Sequence, residues 1–329
     1  MTGIVILNWN GETDTIECLK SLYAINDSEF FIILVDNGSR KESIDIISSF
    51  INSYEGIESY HISMNDYTKL PRNLANKSTV LYELDDNYGF AKGNNRGLEL
   101  AKRFNPEFLM MLNNDTEVEP DFLSVLVNFN KEHPEFVALC PKISLYYDKS
   151  KIWNCGGNIW WGFRKYHYGG KLESSIKEKD FIRASFVTGC AFFFKTSLIE
   201  NEPLLTERFF HGEEDFELAY RFKHQGYKMA CVLKSHIYHK VGRASKGMNN
   251  LGNIYCYYLQ RFINMRHQMN FISYKLWKTF YLIYIWLLFT KKGLNPIGTI
   301  KFCKKLIYHS SRIDKVDKAT FISLLREGI

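Results

Sequence analysis

Three aspartates and one histidine stand where carboxylate and imidazole groups could act together: Asp36, Asp115, Asp215 and His239. Each follows or flanks the end of an expected strand or helix, and open α/β sheets bind their ligands at such strand ends. Asp115 could hold Mg²⁺ or Mn²⁺ against a diphosphate, and Asp36 could accept the N3–H of a pyrimidine base. Asp215 could remove a proton from a hydroxyl group, and His239 could bind the metal or donate to a phosphate oxygen. Together the four residues would suit a nucleoside diphosphate that carries a sugar.

The same residues also allow plain structural interpretations. The run from Asn113 to Thr116 could be a turn that caps the helix after Pro120, because Asn and Asp favour turns. The acidic run Glu213–Asp215 would be favoured at a helix N-terminus by the helix dipole, and His239 could be a core or surface histidine. These alternatives stay open on the residues alone.

The elements that would position these side chains follow an alternating pattern. Phe108–Leu112 is an unbroken apolar run that ends in Asn113, as expected of a strand buried on both faces. Ile4–Leu7 and Phe30–Val35 are similar runs, and apolar residues at helical spacing follow each of them. This alternation predicts an α/β fold with a mostly parallel sheet flanked by helices.

Two later stretches interrupt the alternation. Residues 54–78 lack clear periodicity, which predicts an irregular excursion. Residues 152–171 are rich in Trp, Tyr and Gly, and Trp160 and Trp161 could cover a pocket or stack on a sugar ring on the acceptor side. An ordinary hairpin that packs its aromatic side chains on the core is the alternative.

Composition bounds the classes of partner. Hydrophobic residues make up 46% and charged residues 24% of the 329, so a packed core is expected. A net charge of +6 suits phosphate-bearing ligands or an anionic membrane and is too small to indicate nucleic acid. The seven cysteines lack metal or disulfide spacing, and no secretory signal opens the chain, which favours a reducing, cytoplasmic location.

The C-terminal part becomes helical and basic. Phe280–Thr290 is apolar all round and shorter than the roughly twenty residues that a transmembrane helix needs. Its flanking lysines are Lys275, Lys278, Lys291 and Lys292, and Lys301, Lys304 and Lys305 follow. This pattern favours a helix that lies on the inner face of the cell membrane, with a buried helix as the alternative.

Eight motifs in order carry a resemblance to a known family: Ile6-Leu7-Asn8-Trp9-Asn10-Gly11, Val35-Asp36-Asn37-Gly38-Ser39, Asn87-Tyr88-Gly89-Phe90-Ala91 with Asn95-Arg96-Gly97, Leu112-Asn113-Asn114-Asp115, Thr188-Gly189-Cys190-Ala191, Glu214-Asp215-Phe216-Glu217-Leu218, His236 to Ser245, and Tyr257-Tyr258-Leu259-Gln260-Arg261. Over roughly residues 4–270 the chain resembles the family-two inverting glycosyltransferases of GT-A fold, and especially their rhamnosyltransferase-like branch.

The resemblance implies roles for individual residues. On the nucleotide-sugar side it points to Asn8, Asn10, Asp36, Asn37, Asn87, Gly89, Asn95, Asn113, Asn114 and Asp115. On the acceptor side it points to Gly189 and Cys190, near which Trp160 and Trp161 are also expected. Asp215 would be the general base and Asp115 with His239 the ligands of Mg²⁺ or Mn²⁺.

Two departures from the family pattern bear on these roles. Asn113 replaces the first carboxylate of the D-x-D motif, which leaves the metal one charged ligand from this motif. Glu213 and Glu214 precede Asp215, so both of them also stay open as the base.

The resulting expectation is a GT-A catalytic domain over residues 1–248 and a helical, membrane-surface region over residues 249–329. The nucleotide-sugar half would extend to about residue 118 and the acceptor half from there to 248. The enzyme would move rhamnose or another hexose from a dTDP- or UDP-linked donor to a glycan or lipid-linked acceptor. A sugar-nucleotide nucleotidyltransferase and a non-catalytic, membrane-associated glycan-binding protein are the alternatives.

Overall fold

A computed structural model describes residues 1–64, 66–176, 179–241 and 251–326 of the chain. Strands and helices alternate through its first part: β1 (Thr2–Asn8), α1 (Glu12–Tyr23), β2 (Phe30–Asp36), α2 (Lys41–Ser53), β3 (Ser59–Ser63), β4 (Thr79–Glu83), α3 (Gly89–Lys102), β5 (Phe108–Asn113), β6 (Thr116–Val118) and α4 (Phe122–Glu132). The alternation that the apolar runs predict is therefore confirmed.

The second part is richer in strands and ends in helices: β7 (Phe136–Leu145), β8 (Ile152–Asn154), β9 (Gly157–Trp160), β10 (Phe163–Tyr166), β11 (Phe181–Ala184), β12 (Ala191–Lys195), α5 (Glu214–His224), β13 (Lys228–His239), α6 (Leu251–Gln268), α7 (Phe271–Lys291), α8 (Pro296–Ser310) and α9 (Lys318–Arg326). The predicted boundary between residues 248 and 249 lies outside the described residues and stays a prediction.

One large mixed sheet runs through the molecule in the order β11-β13-β7-β12-β5-β1-β2-β4-β3. Its N-terminal strands β5, β1, β2, β4 and β3 are all parallel, whereas β12 joins them to the rest by antiparallel pairing. The fold is thus α/β with a mostly parallel sheet flanked by helices, as predicted.

The expectation that residues 54–78 are irregular is wrong in part, because β3 lies within them at the sheet edge. In this strand only Ile62 is buried, and its neighbours are at least partly exposed. A short edge strand with so little burial leaves no apolar alternation in the sequence to identify it.

Helix α3 lies close against the sheet because two glycines face it. A Cβ on Gly97 would lie 2.4 Å from a side-chain carbon of Val5 and 2.6 Å from one of Val35, and a Cβ on Gly93 would lie 2.6 Å from Leu7. These distances are well below van der Waals contact, so larger residues would push the helix away from β1 and β2. The glycine-rich motif of this region therefore serves helix–sheet packing.

The C-terminal helices share a hydrophobic core with the β9–β10 hairpin and α5. On α7 the inward residues recur at every fourth position, as Trp277, Tyr281, Ile285 and Phe289, and all are nearly inaccessible to solvent. The outward face of the same helix is exposed, so α7 is neither fully buried nor separate from the protein. Across the part of the chain that the structure describes, no helix is long and apolar enough to cross a membrane.

Candidate active site

The carboxyl ends of β1, β2 and β5 meet at one edge of the sheet. In the parallel register Asn8 is paired with Asp36, and Leu7 is paired with Asn113. The polar residues that follow these three strands therefore come together because the strands are parallel and in register.

Asn8 and Asp36 form the buried centre of this edge. The Asn8 Nδ2 amide donates to Asp36 Oδ2 at 2.7 Å, and the backbone N–H of Ser39 donates to Asp36 Oδ1 at 2.8 Å. Asn8 Oδ1 accepts from the Thr15 hydroxyl at 3.0 Å and from the Gly11 N–H at 3.1 Å. Asp36 is inaccessible to solvent, and its two oxygens hold the loop after β2 and the end of β1 in place.

Asn37 connects the loop after β2 to the loop after β4. Its amide donates to Asn87 Oδ1 at 3.0 Å, while its own Oδ1 accepts from the Tyr88 N–H at 3.0 Å. Gly38, with φ +72°, has no room for a Cβ, which would lie 2.5 Å from the carbonyl carbon of Asp86. These contacts hold the two loops against each other, and they need both the asparagine and the glycine of the Asp36–Ser39 run.

Gly89 begins α3 under a similar constraint. Its φ is +81°, and a Cβ there would lie 2.1 Å from the carbonyl oxygen of Phe210. The next amide, that of Phe90, donates to this oxygen at 3.0 Å. Segment 205–210 thus lies against the start of α3, and Asn95 holds it there through hydrogen bonds to Leu205.

Asn10 and Asn114 lie at the rim of the same edge. Asn10 has φ +51°, and its Oδ1 accepts from the backbone N–H of Arg40 at 2.8 Å. The Asn114 amide donates to the Thr15 hydroxyl at 2.9 Å, which ties the end of β5 to α1. Asn114, Thr15, Asn8 and Asp36 thus form one chain of side-chain hydrogen bonds.

Asp115 and His239 are adjacent because β13 pairs with β6. The antiparallel register sets His239 opposite Thr116, and His239 Nε2 lies 3.0 Å from Asp115 Oδ1. Both side chains are mostly buried, at 8% exposed for His239 and 14% for Asp115. The Lys240 N–H also donates to the backbone carbonyl of Asp115 at 3.0 Å. The structure therefore brings the two predicted metal ligands together.

The donor set can be tested for its fit to a divalent cation. A carboxylate and an imidazole are acceptable ligands for Mn²⁺, whereas Mg²⁺ prefers oxygen. His239 Nε2 faces a carboxylate oxygen that can only accept and so carries the proton in this contact, whereas Nδ1 is buried without a hydrogen-bond partner in the part of the chain that is described. No group of three or more His, Cys, Asp or Glu side chains suited to a metal occurs among those residues. The pair fits an ion whose other ligands come from a bound substrate and water.

Gly189 and Cys190 link this edge to Asp215. The Asn113 N–H donates to the carbonyl of Cys190 at 2.8 Å, just before β12 pairs with β5. The backbone of Gly189 lies directly beside Asp215, since a Cβ on Gly189 would lie 3.9 Å from that of Asp215. One backbone segment therefore joins the end of β5 to the first turn of α5.

Asp215 is a partly exposed carboxylate beside a cation. Its side chain is 20% exposed, and its Oδ1 lies 3.5 Å from a guanidinium nitrogen of Arg164. Burial raises the pKa of Asp215, Arg164 opposes this shift and the Glu213 carboxylate adds to it. The aromatic rings of Phe186 and Phe216 pack against the Arg164 guanidinium and hold it in place.

Glu214 lies deeper than Asp215 in the same turn. Burial raises the pKa of Glu214 to about 8, and the neighbouring carboxylates of Asp215 and Glu213 add to the shift. Its Oε2 has no hydrogen-bond partner in the described part of the chain. At neutral pH Glu214 is therefore mainly protonated, which makes it a poor base compared with Asp215.

Glu213 is held by an arginine from α6. Its carboxylate accepts from Arg261 Nε at 2.7 and 2.8 Å, and the Asn264 amide donates to it at 3.3 Å. Both side chains of the ion pair are almost fully buried, and Glu213 has φ +69°, an uncommon conformation for a residue with a side chain. The guanidinium also donates to the carbonyl of Gly162 at 2.7 Å. Arg261 thus connects α5, α6 and the β9–β10 hairpin.

Trp160 and Trp161 lie at the tip of this hairpin. Trp161 and Gly162 have φ of +43° and +80°, as a two-residue hairpin turn requires. The Trp161 ring lies 5.7 Å from that of Phe280 on α7, and its carbonyl accepts from the Trp277 indole at 3.1 Å. Trp160 is 70% exposed. Trp161 therefore packs on α7, and Arg164, not a tryptophan, contacts Asp215 from this hairpin.

Sequence reasoning missed Arg164 and the role of Glu213 with Arg261. Arg261 belongs to the aromatic-basic motif, but the motif does not indicate which residue Arg261 contacts. Nothing in the sequence pairs it with Glu213. The Trp161-Gly162 pair between two short β-rich runs was the available signal for the hairpin turn, and the turn sets the position of Arg164.

Comparisons with known proteins add a family match and a shared fold. Residues 3–69, which contain β1 to β3, match the model of Glycosyl transferase family 2. Among curated proteins, no sequence matches the chain. The mannosyltransferase PcManGT from Pyrobaculum calidifontis, in complex with GDP-Man and Mn²⁺, is similar with a TM-score of 0.52 and 12% identity, over 94% of this chain and 74% of that chain.

TarS from S. aureus is similar to the same degree. TarS 1–349 in complex with UDP matches with a TM-score of 0.50 and 14% identity, over 99% of this chain and 90% of that chain. Against two other structures of TarS 1–349, one of them with UDP-GlcNAc, the chain spans 64% and 66% of that chain. The chain therefore shares its fold with TarS and with the mannosyltransferase, and its first three strands match Glycosyl transferase family 2.

Proposed function

We propose that the protein is a glycosyltransferase that moves a sugar from a nucleoside-diphosphate donor to an acceptor hydroxyl. The proposal rests on one observation. Two carboxylates, Asp115 and Asp215, both lie next to the backbone segment that leads into β12. Asp115, beside His239, follows the end of β5, and Cys190 bonds to that end while the preceding Gly189 lies against Asp215. The family match over residues 3–69 supports the same reaction class.

The donor is proposed to bind over the ends of β1, β2 and β5. Two proteins of the same fold hold nucleotide sugars, UDP-GlcNAc in TarS and GDP-Man in the mannosyltransferase. For this chain we propose a dTDP- or UDP-linked donor of rhamnose or another hexose, as the motif resemblance implies. Asp36, as the buried anchor of Asn8 and Ser39, keeps the loop that would face the base in one conformation.

Asp115 and His239 are proposed to hold Mn²⁺ or Mg²⁺. The mannosyltransferase of the same fold contains Mn²⁺. When bound, such an ion would stabilise negative charge on the departing diphosphate. His239 would have to present the lone pair of Nε2, which shifts its proton to the unpartnered Nδ1. Asn113 offers an amide where a second carboxylate would stand, so binding weaker than at a site with two carboxylates is expected.

Asp215 is proposed to be the general base, with inversion at the sugar carbon. Its carboxylate is partly exposed, and Arg164 favours its charged form against the effect of burial. The acceptor hydroxyl would lose its proton to Asp215 as its oxygen attacks the sugar from the face opposite the diphosphate. The proposed acceptor is a hydroxyl of a glycan or of a lipid-linked sugar in surface polysaccharide synthesis.

A thermal-shift panel tests donor binding. UDP, dTDP, GDP and their hexose conjugates are each added with and without Mn²⁺, because a ligand that binds only the folded state raises the melting temperature. We expect the pyrimidine nucleotides to raise it most, and more with Mn²⁺. Asp115→Asn should remove the Mn²⁺-dependent part of the shift and Glu117→Gln, a neighbouring carboxylate on β6, should leave it unchanged. If no nucleotide shifts the melting temperature, the proposal is wrong.

Asp215→Asn tests the general base. The substitution keeps the shape of the side chain but removes its capacity to take a proton. We expect transfer to fall by about 10²–10⁴-fold while donor binding in the thermal-shift assay persists. Glu202→Gln, which removes a carboxylate from an exposed position outside this turn, is the control. Full transfer by Asp215→Asn would assign the base to another residue.

A further inference from the structure

Helix α7 is apolar on the side that faces away from the protein. Opposite its buried stripe it exposes large hydrophobic side chains at a spacing of three and four residues, each half or more exposed: Leu276, Phe280, Ile283 and Leu287. A helix on the surface of a water-soluble domain is usually polar on that side. The outward face of α7 therefore has the character of an interaction surface.

Helix α8 extends this surface. Ile297, Ile300 and Ile307 are exposed on it at 66%, 47% and 37%. Between the two helices runs a shallow groove of about 260 Å³, lined by Ile283 and Trp286 from α7 and by Ile300 and Ile307 from α8. These residues of α7 and α8 are together called the α7–α8 face.

The charges on α7, on α8 and on the loop between them have one sign. From residue 271 to residue 310 the chain has seven lysines and no aspartate or glutamate: Lys275, Lys278, Lys291, Lys292, Lys301, Lys304 and Lys305. Lys291, Lys301 and Lys304 are exposed, so they remain available to an anionic partner. Two copies of this face brought together would repel each other, which argues against a second copy as the occupant.

We propose that the α7–α8 face docks on the surface of an anionic lipid bilayer, with both helices lying in the plane of the membrane. The apolar side chains would enter the region between head groups and acyl chains, and the lysines would contact the lipid phosphates. The uncharged run between Lys278 and Lys291 extends only about 18 Å along the helix, which is too short to span the hydrocarbon layer.

Docking in this orientation would bring the membrane near the acceptor side of the site. The β9–β10 hairpin contacts α7 through the rings of Trp161 and Phe280, and its next strand carries Arg164, which contacts Asp215. A lipid-linked acceptor held in the bilayer would therefore approach Asp215 along this hairpin. This consequence rests on the proposed function, whereas the docking itself does not.

Co-sedimentation with vesicles tests the docking without any assay of transfer. The full chain is mixed with vesicles of phosphatidylglycerol and phosphatidylcholine, or of phosphatidylcholine alone. We expect pelleting with the anionic vesicles and much less with the zwitterionic ones. Replacing Lys291, Lys301 and Lys304 by Gln should lower the partition coefficient by about a hundredfold. The matched control replaces Lys41, Lys223 and Lys228, three exposed lysines outside this face, and should keep binding.

A second pair of variants tests the apolar part. Ile283→Glu with Leu287→Glu should reduce binding at least tenfold, while Ile46→Glu with Leu172→Glu, two exposed apolar residues elsewhere, should not. Unaltered melting temperatures would show that all variants fold. The proposal is overturned if the wild-type chain stays in the supernatant with anionic vesicles or if the α7–α8 variants bind as well as their controls. It is also overturned if light scattering shows a dimer that Ile283→Glu with Leu287→Glu dissociates. Loss of transfer with intact docking would instead count against the proposed function.

Discussion

The nucleotide side and the acceptor side of the candidate site are built from different kinds of contact. On the nucleotide side, amides, hydroxyls and backbone groups surround the buried carboxylate of Asp36, which accepts from Asn8 and Ser39. On the acceptor side, Glu213, Glu214 and Asp215 are consecutive carboxylates in one buried turn. Two arginines from other elements, Arg164 and Arg261, balance their charge.

This difference indicates how each side should respond to change. Neutral hydrogen bonds are each worth about 0.5–1.5 kcal/mol net, and their strength hardly depends on pH. Buried charges are costly when a partner is lost, and their protonation makes stability depend on pH. Substitutions on the nucleotide side should therefore lower the free energy of unfolding only slightly. Substitutions on the acceptor side should lower it more and change its dependence on pH. The contrast also means that α6, through Arg261, is part of the architecture of the site.

Removing the arginine of the buried pair should have the largest effect on stability. Arg261→Met fills a similar volume but leaves the Glu213 carboxylate buried without its cation. We expect the free energy of unfolding to fall by about 3–5 kcal/mol, as measured by urea denaturation. The positive φ of Glu213 should then be harder to maintain, so the turn that carries Asp215 should also become less ordered.

A double variant separates charge from packing. Arg261→Met together with Glu213→Met replaces both charges by apolar groups, which often restores or exceeds the original stability. Recovery of most of the lost free energy would assign the loss to the unpaired carboxylate. If the free energy of unfolding of Arg261→Met alone lies within about 1 kcal/mol of the wild-type value, the ion pair does not hold this turn.

The pH dependence of stability should come from the acceptor side. The pKa of Glu214 is raised from 4.5 to about 8 by burial and by the adjacent carboxylates. Between these pH values the folded state keeps a proton that the unfolded state has released, so the free energy of unfolding decreases as pH rises. Glu214→Gln removes this dependence. Relative to wild type, the variant should gain on the order of 3 kcal/mol between pH 5 and pH 8.

Urea denaturation at a series of pH values measures this effect. Glu202→Gln is a suitable control, because it removes the same charge from an exposed position outside the buried turn. Parallel curves for wild type and Glu214→Gln across this range would mean that Glu214 is ionised in the folded protein. That result would reopen its candidacy as the base.

The contrast between the two sides also separates what the sequence could predict from what it could not. Asn8, Asp36 and Asn113 follow apolar runs, and parallel strands must end at one edge, so their proximity could be inferred before any coordinates. The approach of His239 to Asp115 depends on the register between β13 and β6, which only the motif order suggested. Family assignment within the rhamnosyltransferase-like branch stays a prediction.

The ion pairs between distant parts of the chain could not be predicted from the sequence in this way. Arg164 reaches Asp215 only because a two-residue turn fixes the hairpin register, and Arg261 meets Glu213 only after α6 packs on α5. Neither contact has a periodicity or spacing that a single sequence reveals. The spacing of apolar residues also could not predict which face of α7 packs on the protein, because a helix that is apolar all round can be buried on either side.

The smallest effect is expected on the nucleotide side, from Thr15→Val. The Thr15 hydroxyl accepts from the Asn114 amide and donates to Asn8 Oδ1, and valine keeps the shape while removing both bonds. Asn8 Oδ1 still accepts from the Gly11 N–H, and Asn114 lies at the rim, where water can replace the lost partner. We therefore expect a loss of about 1 kcal/mol, equal at pH 5 and pH 8, in urea denaturation.

The same variant should loosen Asn114 beside Asp115, so the nucleotide-induced shift in melting temperature should become smaller while the pH profile stays that of wild type. Ser21→Ala is the matched control, because it removes one hydroxyl from the same helix. The Ser21 oxygen accepts from the Val118 N–H at 3.2 Å, away from Asn8 and Asp36. It should cost a similar free energy without changing the nucleotide shift. A loss above about 3 kcal/mol for Thr15→Val, or one that grows with pH, would mean that the nucleotide side also depends on buried charge, and the distinction between the two sides would fail.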